Sequence, residues 1–136
     1  MTKKKMTFST MFFVIILMMA LTISTFAANV DFSGNLPAKQ GDTEISQVAR
    51  ENDSTVKPYF TIKITSLGGN GDAVRAWTES IFEVNFSSPY NEATLNESKN
   101  INYQRGPDTG IDVVLNLDNP VYTTNTVSVG GNWTPN

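Results

Sequence analysis

Apolar positions along the chain fall into three regimes. Eleven consecutive apolar residues, Met11 to Leu21, follow the basic cluster Lys3, Lys4 and Lys5 and lead into the mostly small, polar stretch from Thr22 to Ala28. A positive segment, an apolar core and small residues in that order predict a secretory signal peptide, helical in its core, over residues 1–27. Signal peptidase requires small residues one and three positions before the cut. Cleavage after Ala27 puts Ala27 and Thr25 there, whereas cleavage after Ala28, the alternative, puts Phe26 in the tighter slot. A spanning helix needs about 20 apolar residues, so the run predicts release outside the cell rather than anchoring.

The second regime, residues 28–57, mixes polar residues with few large apolar ones. Ile45, Val48 and Ala49 share one side of a short helix over Thr43 to Arg50, a stripe too narrow to fold alone. The stretch therefore reads as a polar, partly disordered N-terminal arm.

From Pro58 onward apolar residues recur every second position, the period of strands with one buried face. Phe60, Ile62 and Ile64 alternate with Tyr59, Thr61, Lys63 and Thr65. Gly68-Gly-Asn-Gly-Asp72 predicts a tight hairpin turn into a partner strand, Ala73 to Thr78, with Val74 and Ala76 opposite Arg75 and Trp77. Ile81 to Phe86 alternates again, with Phe82, Val84 and Phe86 inward. Residues 94–98 and 100–104 read as short strands, or residues 92–99 as a helical turn. Ile111 to Leu117 and Val121 to Val129 complete the set, with Gly130-Gly131 placed beyond the last strand and Trp133 folding back as a plug. The prediction is an all-β domain over residues 58–136, a small antiparallel β-sandwich or partly closed barrel of six to seven short strands.

Composition narrows the chemistry. The chain has no histidine and no cysteine, which removes imidazole-based and thiolate catalysis, disulfides, and cysteine or histidine metal sites. All five methionines lie in residues 1–27, so only hard cations on oxygen ligands remain conceivable beyond them. Residues 28–136 carry seven basic against thirteen acidic side chains, a net −6, a balance that repels nucleic-acid phosphate and anionic lipid. Gly68 to Asp72 is similar to a calcium-binding glycine repeat, but one copy with Ala73 in place of the final Asp reads as a turn. No spacing singles out a catalytic pair among carboxylates such as Glu79, Glu83 and Asp112. No catalytic residue, metal or cofactor is expected.

Aromatic residues are the remaining candidates. Trp77 lies on the face opposite Val74 and Ala76, so it either closes a second core layer or lies exposed to stack on a ligand. Trp133 and Tyr122 join it as candidate ligand contacts.

The order of segments in this half resembles a family of small secreted proteins of Gram-positive bacteria, classed as a domain of unknown function. The resemblance rests on Phe60-Thr-Ile62, Arg75-Ala-Trp-Thr78, Phe82-Glu-Val-Asn-Phe86, Val113-Val-Leu-Asn-Leu-Asp-Asn119 and the closing Val127-Ser-Val-Gly-Gly-Asn-Trp133. It covers roughly residues 58 to 134 and implies secretion without an established activity. Size and style are more loosely similar to lactococcin-type bacteriocins. The expectation is a secreted, non-enzymatic β-sandwich that binds an extracellular or cell-envelope component, makes no contact with nucleic acid, and leaves the membrane once its leader is removed. The alternative is a bacteriocin-like antimicrobial or toxin.

Overall fold

The computed structural model describes residues 28–39, 41–52, 55–69, 71–89, 91–119 and 123–136. The expected leader over 1–27, with Ala27, lies outside these residues, as does Tyr122; Ala28 is described and exposed. Among the described residues no helix is long and apolar enough to cross a membrane.

Among the described residues eight strands form in order: β1 (Val30–Leu36), β2 (Thr43–Ala49), β3 (Tyr59–Leu67), β4 (Ala73–Glu79), β5 (Asn91–Thr94), β6 (Ser98–Asn102), β7 (Asp112–Asp118) and β8 (Val127–Thr134). They build two four-stranded antiparallel sheets, β1-β8-β3-β6 and β2-β7-β4-β5. Four ladders, β1 with β8, β2 with β7, β3 with β6 and β4 with β5, pair the first half of the chain with the second half in reverse. The chain is one long hairpin with its tip between β4 and β5, rolled so that successive ladders fall in alternate sheets. Two further ladders, β3 with β8 and β4 with β7, hold the roll shut. This is the strand order of a jelly roll, two open sheets face to face.

The core lies between them. Phe60, Ile62, Ile64, Val129 and Trp133 from one sheet meet Val74, Ala76, Val113, Leu115 and Leu117 from the other. Phe32 and Leu36 belong to the same core, and Val30, Ile45 and Val48 pack against it.

Several expectations are corrected. Residues 28–57 are not an arm: β1 and β2 sit within them, which raises the strand count from six or seven to eight. The helix expected over Thr43 to Arg50 is strand β2, whose register shifts between Glu44 and Ser46. That bulge turns Ile45 and Val48 to the same side at a three-residue spacing, which imitates a helical stripe. The turn over Gly68 to Asp72 does not join paired strands, because β3 and β4 belong to different sheets. Gly130 and Gly131 lie inside β8 rather than beyond it.

Candidate functional site

Trp133 is excluded as a ligand contact. It points inward from β8, is 1 % exposed, meets the Phe60 ring edge-on at 6.3 Å, and donates its indole N–H to Ser46 Oγ at 3.0 Å. Its place is the inward period of Val127, Val129 and Gly131, not that of a terminal plug.

Trp77 has a different setting. Strand alternation turns Arg75, Trp77 and Glu79 to the outer face of β4, and Trp77 is only 5 % exposed. Across β7 it faces Asn116, which in turn faces Glu44 on β2. One step along, Arg75 faces Asp118 on β7 and Glu92 on β5. These rows form the floor of a groove of about 670 Å³, within the size range of small-molecule pockets. Asp42 and Glu44 line one side, while Glu83, Asn85 and Pro89 from the β4–β5 loop line the other.

That loop is where the sequence expectation fails most. Ile81 to Phe86 is not a strand with three buried apolar residues. Only Phe86 enters the core, anchored by its backbone N–H donating to the Thr78 carbonyl at 2.8 Å. Ser80 organises a tight turn ahead of it: its hydroxyl oxygen accepts from the Phe82 and Val84 amides, each at 3.2 Å. Its backbone N–H donates to the Val84 carbonyl at 2.9 Å. Glu83 takes a left-handed φ of 60° at the turn's corner. The outcome is an ordered tip that leaves Ile81, Phe82 and Val84 in solvent, with Phe82 80 % exposed.

Electrostatics single out the groove. Five carboxylates (Asp42, Glu44, Glu79, Glu83 and Asp118) face one guanidinium, that of Arg75. Burial pushes the Glu79 carboxyl above its usual range, and repulsion from Glu44 and Glu83 adds to the effect. The Asn116 and Trp77 side chains oppose it. Burial likewise raises Asp118, helped by Asp42 and opposed by Arg75 and the Asn119 backbone. Among the described residues, two polar atoms at the floor have no hydrogen-bond partner. Asn116, 2 % exposed, has Nδ2 outside hydrogen-bonding geometry, with the Glu79 carboxylate near enough that the amide favours its charged form. Asp118, 4 % exposed, keeps Oδ1 without a donor. Buried polar atoms are nearly always paired, so an unpaired donor and an unpaired acceptor on the same face of β7 make this groove the candidate site.

Raised carboxyl pKa values carry a stability consequence. The folded chain holds these protons more tightly than the unfolded chain, so stability falls as pH rises through the window above the ordinary carboxylate range. Melting temperature should therefore climb in low salt as pH is lowered from neutral toward the ordinary carboxylate pKa near 4. The double substitution Glu79→Gln, Asp118→Asn should flatten that slope. A slope identical in the variant would show that other groups set it.

Sequence spacing did not assemble this site, because its residues come from three strands and two loops whose pairing only the roll defines. Among the described residues, no group of three or more acidic side chains is arranged to hold a metal ion. Comparison with family models, with curated proteins and with solved structures finds no match.

Proposed function

We propose that the protein is a secreted, non-enzymatic binding module whose ligand site is the groove on the outer face of the β2-β7-β4-β5 sheet. Its ligand would be a component of the cell envelope or of the medium beyond it. The observation that carries the reading is the pair of orphan atoms, Asn116 Nδ2 and Asp118 Oδ1, buried at the floor of an acidic groove beside Trp77. Leaving such groups unpaired costs about 1–3 kcal/mol each, a penalty that a ligand offering one acceptor and one donor removes.

Binding is favoured over turnover on chemical grounds. Without imidazole or thiol, acid–base chemistry would fall to carboxylates alone, and a glycosidase needs two of them at a set separation across the scissile bond. Here the acidic groups are spread over three strands and two loops, around a tryptophan.

The test is co-sedimentation of the chain carrying residues 28–136, which contains all eight strands, with purified Gram-positive cell walls. Wild type should pellet with the walls, and Asn116→Leu should reduce the bound fraction at least tenfold while melting normally. Equal pelleting of the two proteins would overturn the groove as the ligand site, and wild type remaining in the supernatant would overturn the cell envelope as the source of the ligand.

A further inference from the structure

We infer that the groove and the adjoining apolar tip form one recognition surface for a basic amphipathic peptide. This deepens the reading above and rests on the groove being a ligand site.

The two orphan atoms restrict the ligand first. Asp118 Oδ1 requires a donor and Asn116 Nδ2 an acceptor. A polyamine or a bare cation would satisfy the carboxylate and leave the amide nitrogen unpaired. A peptide supplies both, a cationic side chain for Asp118 and a backbone carbonyl for Asn116. A neutral glycan could pair both atoms through hydroxyls, yet it would leave a surplus of four negative charges over Arg75 in place. A basic side chain offsets that surplus, so charge complementarity favours the peptide.

The tip supplies the second half. Ile81, Phe82 and Val84 stand in solvent on a turn already ordered by Ser80, and Glu83 and Asn85 of the same loop line the groove. An exposed aromatic on a backbone already ordered, next to a charged cleft, suits peptide recognition, because little backbone entropy is left to lose. A ligand alternating basic and apolar residues would place its cations over the carboxylates and its apolar side chains against Phe82.

The experiment is a calorimetric titration of residues 28–136 in low salt with four probes: an alternating Lys-Phe hexapeptide, its Lys-Ser and Glu-Phe counterparts, and a chitin oligosaccharide. The Lys-Phe peptide should bind at micromolar Kd and weaken with salt. Lys-Ser should bind at least tenfold more weakly, and Glu-Phe not at all. Phe82→Ser and the pair Asp42→Asn, Glu83→Gln alter surface groups only, and each should weaken Lys-Phe binding about tenfold. Absent Lys-Phe binding, or binding unchanged in both variants, would overturn the inference. Oligosaccharide binding that is abolished by Asn116→Leu, with the peptides ignored, would also overturn it while leaving the groove as the ligand site. Failure of all four probes together with unchanged wall sedimentation of Asn116→Leu would remove both.

Discussion

Replacing Arg50 with methionine should destabilise the fold by roughly 3–5 kcal/mol, because the three carbonyls it pairs are left behind at about 1–3 kcal/mol for each buried group without a partner. Arg50 follows β2 and is buried at one end of the sandwich. Its guanidinium donates from Nε to the Asn136 carbonyl at 2.7 Å, from Nη1 to the Pro107 carbonyl at 2.6 Å, and from Nη2 to the Lys57 carbonyl. Its backbone N–H donates to the Ile111 carbonyl at 2.9 Å, and its own carbonyl accepts from Gly110 at 2.7 Å. The guanidinium also lies over the Tyr103 ring, 4.6 Å from its centre, and the Tyr103 hydroxyl donates to the Pro135 carbonyl at 2.7 Å. One side chain thus ties the segment before β3, the β6–β7 loop and the residues after β8. Methionine fills much of the volume but donates nothing, so three carbonyls lose charge-assisted hydrogen bonds. At roughly 4–8 °C per kcal/mol for a domain of this size, the melting temperature should fall on the order of 15–30 °C. Arg50→Lys should recover little, since a single ammonium cannot reproduce a planar fork that reaches three acceptors. A urea titration giving less than about 1 kcal/mol for Arg50→Met would show that the three segments hold without the lock.

Arg50 also illustrates what the sequence could and could not disclose. Period-two alternation made β3 and β7 legible, because Phe60, Ile62 and Ile64, like Val113, Leu115 and Leu117, point without interruption into the core. The first two strands were not legible. In β1 the inward row is Val30, Phe32, Gly34 and Leu36, and the glycine breaks the apolar rhythm. Its missing Cβ is what admits Ile45, whose Cδ1 would come within 2.7 Å of one. In β2 the bulge at Ile45 disguises a strand as a helix. Both errors come from cross-strand fit, which a single strand's pattern does not carry.

The candidate site was legible only in its parts. Alternation placed Trp77 opposite Val74 and Ala76, but nothing local said that Asn116 and Asp118 would stand beside it. Their side-by-side placement follows from the β4–β7 register, Trp77 against Asn116 and Arg75 against Asp118. The tip misled for a related reason. Phe82-Glu-Val-Asn-Phe86 alternates as a strand does, and what overrides the pattern is Ser80, which captures two amides of the segment and bends it into a turn. A segment that could bury Phe82 by staying extended instead leaves it in solvent, beside the groove that the rest of the sheet builds.

Close approach of strands makes the second large effect. Gly131→Ala should cost about 3 kcal/mol or more, the upper end for an inserted methyl, because its obstacle is backbone and cannot rotate away. Gly131 lies at the centre of the β1-β8-β3 sandwich of strands, opposite Phe32 on one side and Ile64 on the other. A Cβ there would run into the Lys63 carbonyl oxygen, with its carbonyl carbon at 3.1 Å and the Phe32 ring at 2.9 Å. The crowding arises where the register of β3 slips between Ile64 and Ser66, bending β3 toward β8. Relief would require β3 to retreat, loosening the ladder that holds the roll shut and displacing Ile62 and Ile64 from the core. Gly130→Ala should be milder, because its nearest obstacle is the Ser66 hydroxyl at 2.7 Å, which can swing aside. Gly71→Ala, meeting only the Leu67 side chain at an ordinary 3.5 Å, should stay within about 0.5 kcal/mol of wild type, as surface substitutions usually do. Urea midpoints falling in that order, with Gly131→Ala far below the other two, would confirm that the approach of β3 to β8 limits the fold. A Gly131→Ala midpoint close to that of Gly71→Ala would show that β3 can retreat without loosening the core.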